Sequence, residues 1–193
     1  MRLPVLCLAG LLLAACQSGP NPTRQYERIL DELGKQAGTQ ALRPEGRAKL
    51  EELYGQFEAW QDQGVLHSGE DKLWAAAALV NAESPTRIER AHDLALQSVS
   101  AGEVRANPVL AQAIDKLDLQ AGRPQTYGTQ FVYHDPPGIW DLYRLNPITT
   151  DEQRIAMGVP TLAELDQALM RLNEKRQEEF LKWAEAHRPA RRN

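Results

Sequence analysis

The sequence predicts a mainly α-helical fold built as stacked helical hairpins, tetratricopeptide-like at most. Three observations predict it. Apolar residues recur at spacings of three and four through most of residues 24–187. Helix start signals at Pro44, Ser84-Pro85, Asn107-Pro108, Thr150 and Thr161 alternate with stop glycines at Gly64, Gly102, Gly122 and Gly158. The joints between them are short, as helical hairpins require.

The elements follow in order. Tyr26, Ile29, Leu30 and Leu33 form the stripe of a first helix, from Thr23 to about Gln36, whose end Gly34 and Gly38 weaken. Pro44 opens a second helix with Leu50, Leu53, Tyr54, Phe57 and Trp60 on one face, stopped near Gly64. His67 to Asp71 reads as a polar break. Asp71 to Ala82 carries LWAAAALV, an alanine-dense helix that neighbours can approach closely. Ser84 offers a capping hydroxyl ahead of Pro85, starting a helix that runs through Ser100 to Gly102. Asn107-Pro108 repeats the start and Gly122 the stop. No 34-residue self-similarity accompanies these hairpins, so a repeat array is not predicted.

From Arg123 to Pro147 the pattern changes. TQFVYH alternates like a strand, and Tyr127, Phe131, Tyr133, Trp140 and Tyr143 cluster around a Pro-Pro-Gly turn. The expectation near 126–146 is a short β-hairpin or an Ω-like loop pinned by these rings. A stretch of that length without helix is uncommon in a compact domain and often functional. Thr150 to Gln153 and Thr161 to Glu164 then fit capping boxes. The second opens a long C-terminal helix with Leu162, Leu165, Leu169 and Leu172 on its seam. Arg176 interrupts that seam before Phe180 and Trp183, which favours docking on the domain over a coiled coil.

The N-terminus has its own logic. Arg2 precedes an apolar run from Val5 to Ala15, the length of a signal-peptide core. It is too short for a bilayer's roughly 30 Å hydrocarbon layer, which takes about 20 residues. The polar QSGPNPT that follows suits a tether. Leu13-Ala14-Ala15-Cys16 resembles the lipobox of bacterial lipoproteins. The resemblance implies a diacylglycerol on Cys16, cleavage before it and acylation, as by palmitate, of the new amino group. Gln17 in the next position implies the outer membrane, periplasmic face. The expected parts are a leader at 1–15, an acylated tether at 16–23, one helical domain at 24–187 and a basic tail at 188–193. Cys7 leaves with the leader, so neither of the two cysteines is free for a disulfide.

Net charge of −4 and the lack of a basic, aromatic-interleaved patch argue against nucleic acid as a partner. The expected partners are the membrane, through lipidated Cys16, and an envelope protein or cell-wall glycan. The four histidines, His67, His92, His134 and His187, have no metal-ligand spacing. No phosphate loop, nucleophile elbow or HExxH motif is present, and no cofactor is expected. His134-Asp135, beside two prolines, reads as a solvated turn.

The distinctive stretch of the domain is RPQTYGTQFVY. With its flanks it resembles a family of uncharacterised bacterial domains across roughly residues 70–170. The matching positions are Leu73-Trp74, Ala101-Gly102-Glu103, Asp115, Gly122 to Gln130, Pro147-Ile148, Arg154 and Gly158-Val159-Pro160. Many members carry Gln-His where this chain has Asn81-Ala82. The resemblance implies a fold and no reaction. Read as chemistry, Gly128 permits close backbone approach, while Gln125, Thr129, Gln130 and Tyr127 supply neutral donors and acceptors. Such a set either binds a sugar or a peptide amide, or ties an irregular loop to the helices through the side chains of Tyr127, Thr129 and Gln130. Asp115 and Arg154 either pair beneath that loop or flank a pocket. The functional expectation is a lipid-anchored binding or scaffolding module. The alternative is an envelope hydrolase working through residues 125–135 with Asp115 or His134.

Overall fold

The computed structural model describes residues 20–36, 44–134, 138–174 and 177–187. Cys16, the leader and the 188–193 tail lie outside them. The chain is mainly helical: α1 (Pro22–Gln36), α2 (Pro44–Asp62), α3 (Gly69–Leu79), α4 (Pro85–Ser100), a short 3-10 turn (Val104–Ala106), α5 (Asn107–Gln120), α6 (Asp151–Ala156), α7 (Leu162–Leu172) and α8 (Gln177–His187). Between α5 and α6 lies an antiparallel hairpin of β1 (Phe131–His134) and β2 (Ile139–Leu142). No described helix is long and apolar enough to cross a membrane.

The predicted stripes build the first core. Ile29 of α1 meets Leu50, Leu53, Tyr54 and Phe57 of α2. Ala75, Ala76 and Ala78 of α3 let α4 close in with Ala91, Leu94 and Ala95. Helix α4 packs between α3 and α5, and α1 lies against both α2 and α3. The four stop glycines all work in the same way. At Gly122, for example, the Gly122 N–H donates to Leu119 O (3.0 Å) and the Arg123 N–H to Asp118 O (2.8 Å), with φ +71 at the glycine. This is the Schellman closure, which satisfies carbonyls the helix end would otherwise leave open.

Some starts differ from expectation. The polar break at 67–71 is a capping box: Ser68 Oγ accepts from the Asp71 N–H, and Asp71 Oδ2 from the Ser68 N–H, both at 2.9 Å. Helix α3 therefore begins at Gly69 and ends at Leu79, short of Ala82. Ser84 has the extended backbone of an N-cap, but its hydroxyl makes no capping bond, and Pro85 at the first turn starts α4. Asn107 lies inside α5, because the 3-10 turn runs straight into the helix. Its amide reaches Ala156 O instead (3.4 Å).

The long C-terminal helix is two helices. Asn173, 3% exposed, stops α7 because its side chain serves as a strand partner. Its Oδ1 accepts from the Trp140 N–H (2.8 Å), and its Nδ2 donates to Trp140 O (2.8 Å) and Leu169 O (2.9 Å). One amide thus closes the outer edge of β2 and fills the last turn of α7. A second core forms here from Ile139, Leu142, Leu165 and Leu169, with Phe131, Leu145 and Trp183 packed against it. The expected aromatic clustering is partial. Tyr133 and Trp140 pair across the strands at 5.2 Å between ring centroids, while Tyr143 is exposed.

Candidate functional site

Two carboxylates on one face of α5 hold the segment that follows it. Asp115 and Asp118 are three residues apart, so they project to the same side. Asp115 is fully buried. Its Oδ1 accepts from the Tyr127 N–H (2.7 Å), and its Oδ2 from the Thr129 N–H and hydroxyl (both 2.8 Å). Asp118 Oδ2 accepts from the Thr126 hydroxyl (2.7 Å), and its Oδ1 from Arg123 Nε and Nη2 (3.0 and 2.7 Å). The segment 123–130 is therefore strapped onto α5. Burial pushes the Asp115 carboxyl above its ordinary value, and the backbone N–H bonds pull it back.

Gln125, also fully buried, is the buckle of the strap. Its Nε2 donates to Gln130 O (3.1 Å) and Tyr143 O (2.9 Å), and its Oε1 accepts from the Gln130 N–H (2.9 Å). Its backbone forms a parallel bridge with Leu145 through Arg144 O and the Asn146 N–H. Every donor of that amide is matched, as a buried side chain requires. Gly128, at φ +81, lies against Leu165 and Leu145. A Cβ there would stand 2.8 Å from Leu165 Cδ1 and 3.0 Å from Leu145 Cδ2.

The side chains expected to tie the loop divide into two groups. Thr129 does so directly, and its hydroxyl also accepts from Gln130 Nε2 (2.8 Å). Gln130 contributes mainly its backbone, and Tyr127 contributes only its N–H. Among the described residues the Tyr127 hydroxyl makes no hydrogen bond. Its ring instead lines a cleft of about 250 Å³ with Thr126, Asn146, Ile148, Thr149 and Gln153. Asn146 Oδ1 accepts from the Ile148 N–H (3.2 Å), and Gln153 Oε1 from the Thr150 N–H (2.9 Å). Their Nδ2 and Nε2, the Thr149 hydroxyl and the Tyr127 hydroxyl have no hydrogen-bond partner among the described residues.

Asp115 and Arg154 have different partners. Arg154, 1% exposed, donates from Nη1 to Thr149 O (2.7 Å) and stands 3.6 Å from Asp151 Oδ1. It props the Thr149 wall of the cleft from behind. His134, expected in a solvated turn, ends β1 with its ring on Trp183, 4.5 Å between centroids. Asp135 lies outside the described residues.

Sequence reading missed Asp118, Asn146 and Gln153. Asp118 carried a usable signal, its helical spacing from Asp115. Gln153 was recognised as a capping residue, but its cleft-facing amide depends on a fold that brings α6 beside the strap. No protein-family model, curated protein or solved structure matches the chain.

Proposed function

We propose that the protein is a lipid-anchored component of the bacterial cell envelope whose helical domain binds a ligand in the Tyr127 cleft. The lipobox at Leu13 to Cys16 supports the anchor and an outer-membrane, periplasm-facing location. One observation carries the binding function. Four neutral hydrogen-bonding groups that have no hydrogen-bond partner among the described residues (the Tyr127 and Thr149 hydroxyls, Asn146 Nδ2 and Gln153 Nε2) belong to residues that line one cleft. Two amide donors, two hydroxyls and a ring face suit a sugar or a peptide amide, ligands rich in neutral donors and acceptors. The bonding of Asp115 weighs against it as the acid or base of the hydrolase alternative. A general acid or base must reach the proton it moves, and the Asp115 oxygens are committed to loop donors away from solvent.

Replacing Tyr127 with Phe, or Gln153 with Glu, which keeps the acceptor that caps the Thr150 N–H, tests this reading. Each substitution removes cleft donors while leaving the Asp115 contacts in place. The expected result is weaker binding of neutral cell-wall fragments, by about tenfold for each lost bond, at nearly unchanged melting temperature. Equal binding by parent and variants would contradict the site.

A further inference from the structure

The chain passes through the Gln125–Leu145 bridge in two parallel segments. Residues after the bridge line the neutral Tyr127 cleft. Residues before it line a second cleft, shallow and open to solvent, of about 460 Å³, formed by Leu119, Gln120, Gly122, Arg123, Tyr143 and Arg144. The chemistry there is different. Two guanidinium groups stand at its edges, and the exposed ring of Tyr143 supplies an aromatic surface.

The charges at this cleft do not cancel. Arg123 commits Nε and Nη2 to Asp118, and its Nη1 has no partner among the described residues. The Arg144 side chain makes no ion pair or hydrogen bond among the described residues, and its backbone carbonyl is held by the Gln125 N–H (2.9 Å). Among the described residues, Arg144 is therefore an unpaired guanidinium on a backbone held by Gln125. The two arginines against Asp118 leave one net positive charge at the cleft. The C-terminal end of α5 carries a partial negative charge that would disfavour an anion. The Schellman closure answers part of it, because the Leu119 and Asp118 carbonyls already accept from Gly122 and Arg123. Gly122 keeps the floor open, with nothing within 4 Å of where its Cβ would stand.

We propose that this second cleft binds the terminal carboxylate of a short peptide. Arg144 holds the carboxylate through paired N–H donors, the geometry guanidinium groups favour. Arg123 Nη1 adds a further donor. The Leu119 side chain and the Tyr143 ring pack on the aliphatic side chain of the last residue. The site stands on observations separate from those for the Tyr127 cleft, and the failure of either leaves the other intact.

The test titrates the purified full-length protein in detergent with three probes: N-acetyl-alanyl-alanine, its C-terminal amide and sodium acetate. Binding is read by calorimetry and by amide chemical shifts. The free acid is expected to bind saturably with shifts at Tyr143 and Arg144, and the amide and acetate at least tenfold more weakly. Arg144→Ala is expected to lose at least tenfold in affinity at an unchanged melting temperature. Arg144→Lys, which keeps the charge without the paired donors, is expected to recover only part of it. Equal affinity for acid and amide, undiminished binding by Arg144→Ala, or no binding of the acid would each overturn the proposal. Acetate binding as tightly as the dipeptide acid would overturn its peptide component.

Discussion

Replacing Asp115 with Asn changes little in volume and tests what the strap rests on. The carboxylate receives three donors, two on Oδ2 and one on Oδ1, at 2.7–2.8 Å. An asparagine keeps one acceptor oxygen and turns an NH2 toward donors that needed an acceptor. If its oxygen stays with the Tyr127 N–H, the Thr129 N–H faces another donor. An unsatisfied buried N–H costs roughly 1–3 kcal/mol, and bonds to a charged acceptor are worth about 1 kcal/mol more than neutral ones. Relief of the buried charge offsets part of this, since burial raises the Asp115 pKa. The expected net loss is about 2–3 kcal/mol, or a melting temperature lower by about 4–12 °C for a chain of this size. Thr129→Val removes the hydroxyl that donates to Asp115 and accepts from Gln130 Nε2, leaves the Thr129 N–H bond in place, and should lose about 1–2 kcal/mol. Thermal unfolding followed by circular dichroism measures both. An Asp115→Asn curve that overlays the parent would refute the reasoning, because the strap would then be held by something else.

Three further outcomes are expected, two from the structure and one from the lipobox. Gly128→Ala meets both a positive φ, costing about 1–2 kcal/mol, and the Leu165 methyl at 2.8 Å. Gly122→Ala meets only the φ penalty in open space, so the first variant should melt clearly below the second; equal melting would contradict the packing at Leu165. Burial, with a smaller push from Glu51 and an opposing pull from Arg87, raises the Tyr54 pKa to about 12 from 10.0. Its stabilising contribution, about 2–3 kcal/mol, is complete below about pH 10 and lost as pH rises toward 12. Melting measured between those values should show a larger loss in the parent than in Tyr54→Phe, in which half-buried Tyr26 still contributes. Cys16→Ser should abolish incorporation of labelled fatty acid, and unchanged labelling would remove the anchor from the account.

Local signals made the helices legible. Pro44, Pro85 and the stop glycines act within one turn, so Gly64, Gly102, Gly122 and Gly158 mark helix ends from sequence alone. Ser68 and Asp71 carried the same kind of signal, obscured by the polar residues around them. Asn173 could not be read in this way, because what stops α7 is the edge of β2, a strand more than 30 residues earlier in the chain. The site shows the same division. Gln125, Thr129, Gly128 and Asp115 were visible as a constellation, yet which of them bind the loop and which face solvent depended on α5. Tyr127 illustrates the limit: its motif position marked it, while it lines a cleft most of whose other lining residues, Asn146 to Gln153, come from another segment.

The central claim is that the domain binds a neutral polar ligand beside Tyr127 without transforming it. Nuclear magnetic resonance titration of the full-length protein with neutral cell-wall fragments, with the fragments analysed by mass afterwards, tests it most directly. The account predicts saturable shifts centred on Thr126, Tyr127, Asn146 and Gln153 and fragments recovered intact. Cleaved fragments, or saturable shifts confined to residues elsewhere in the domain, would contradict it.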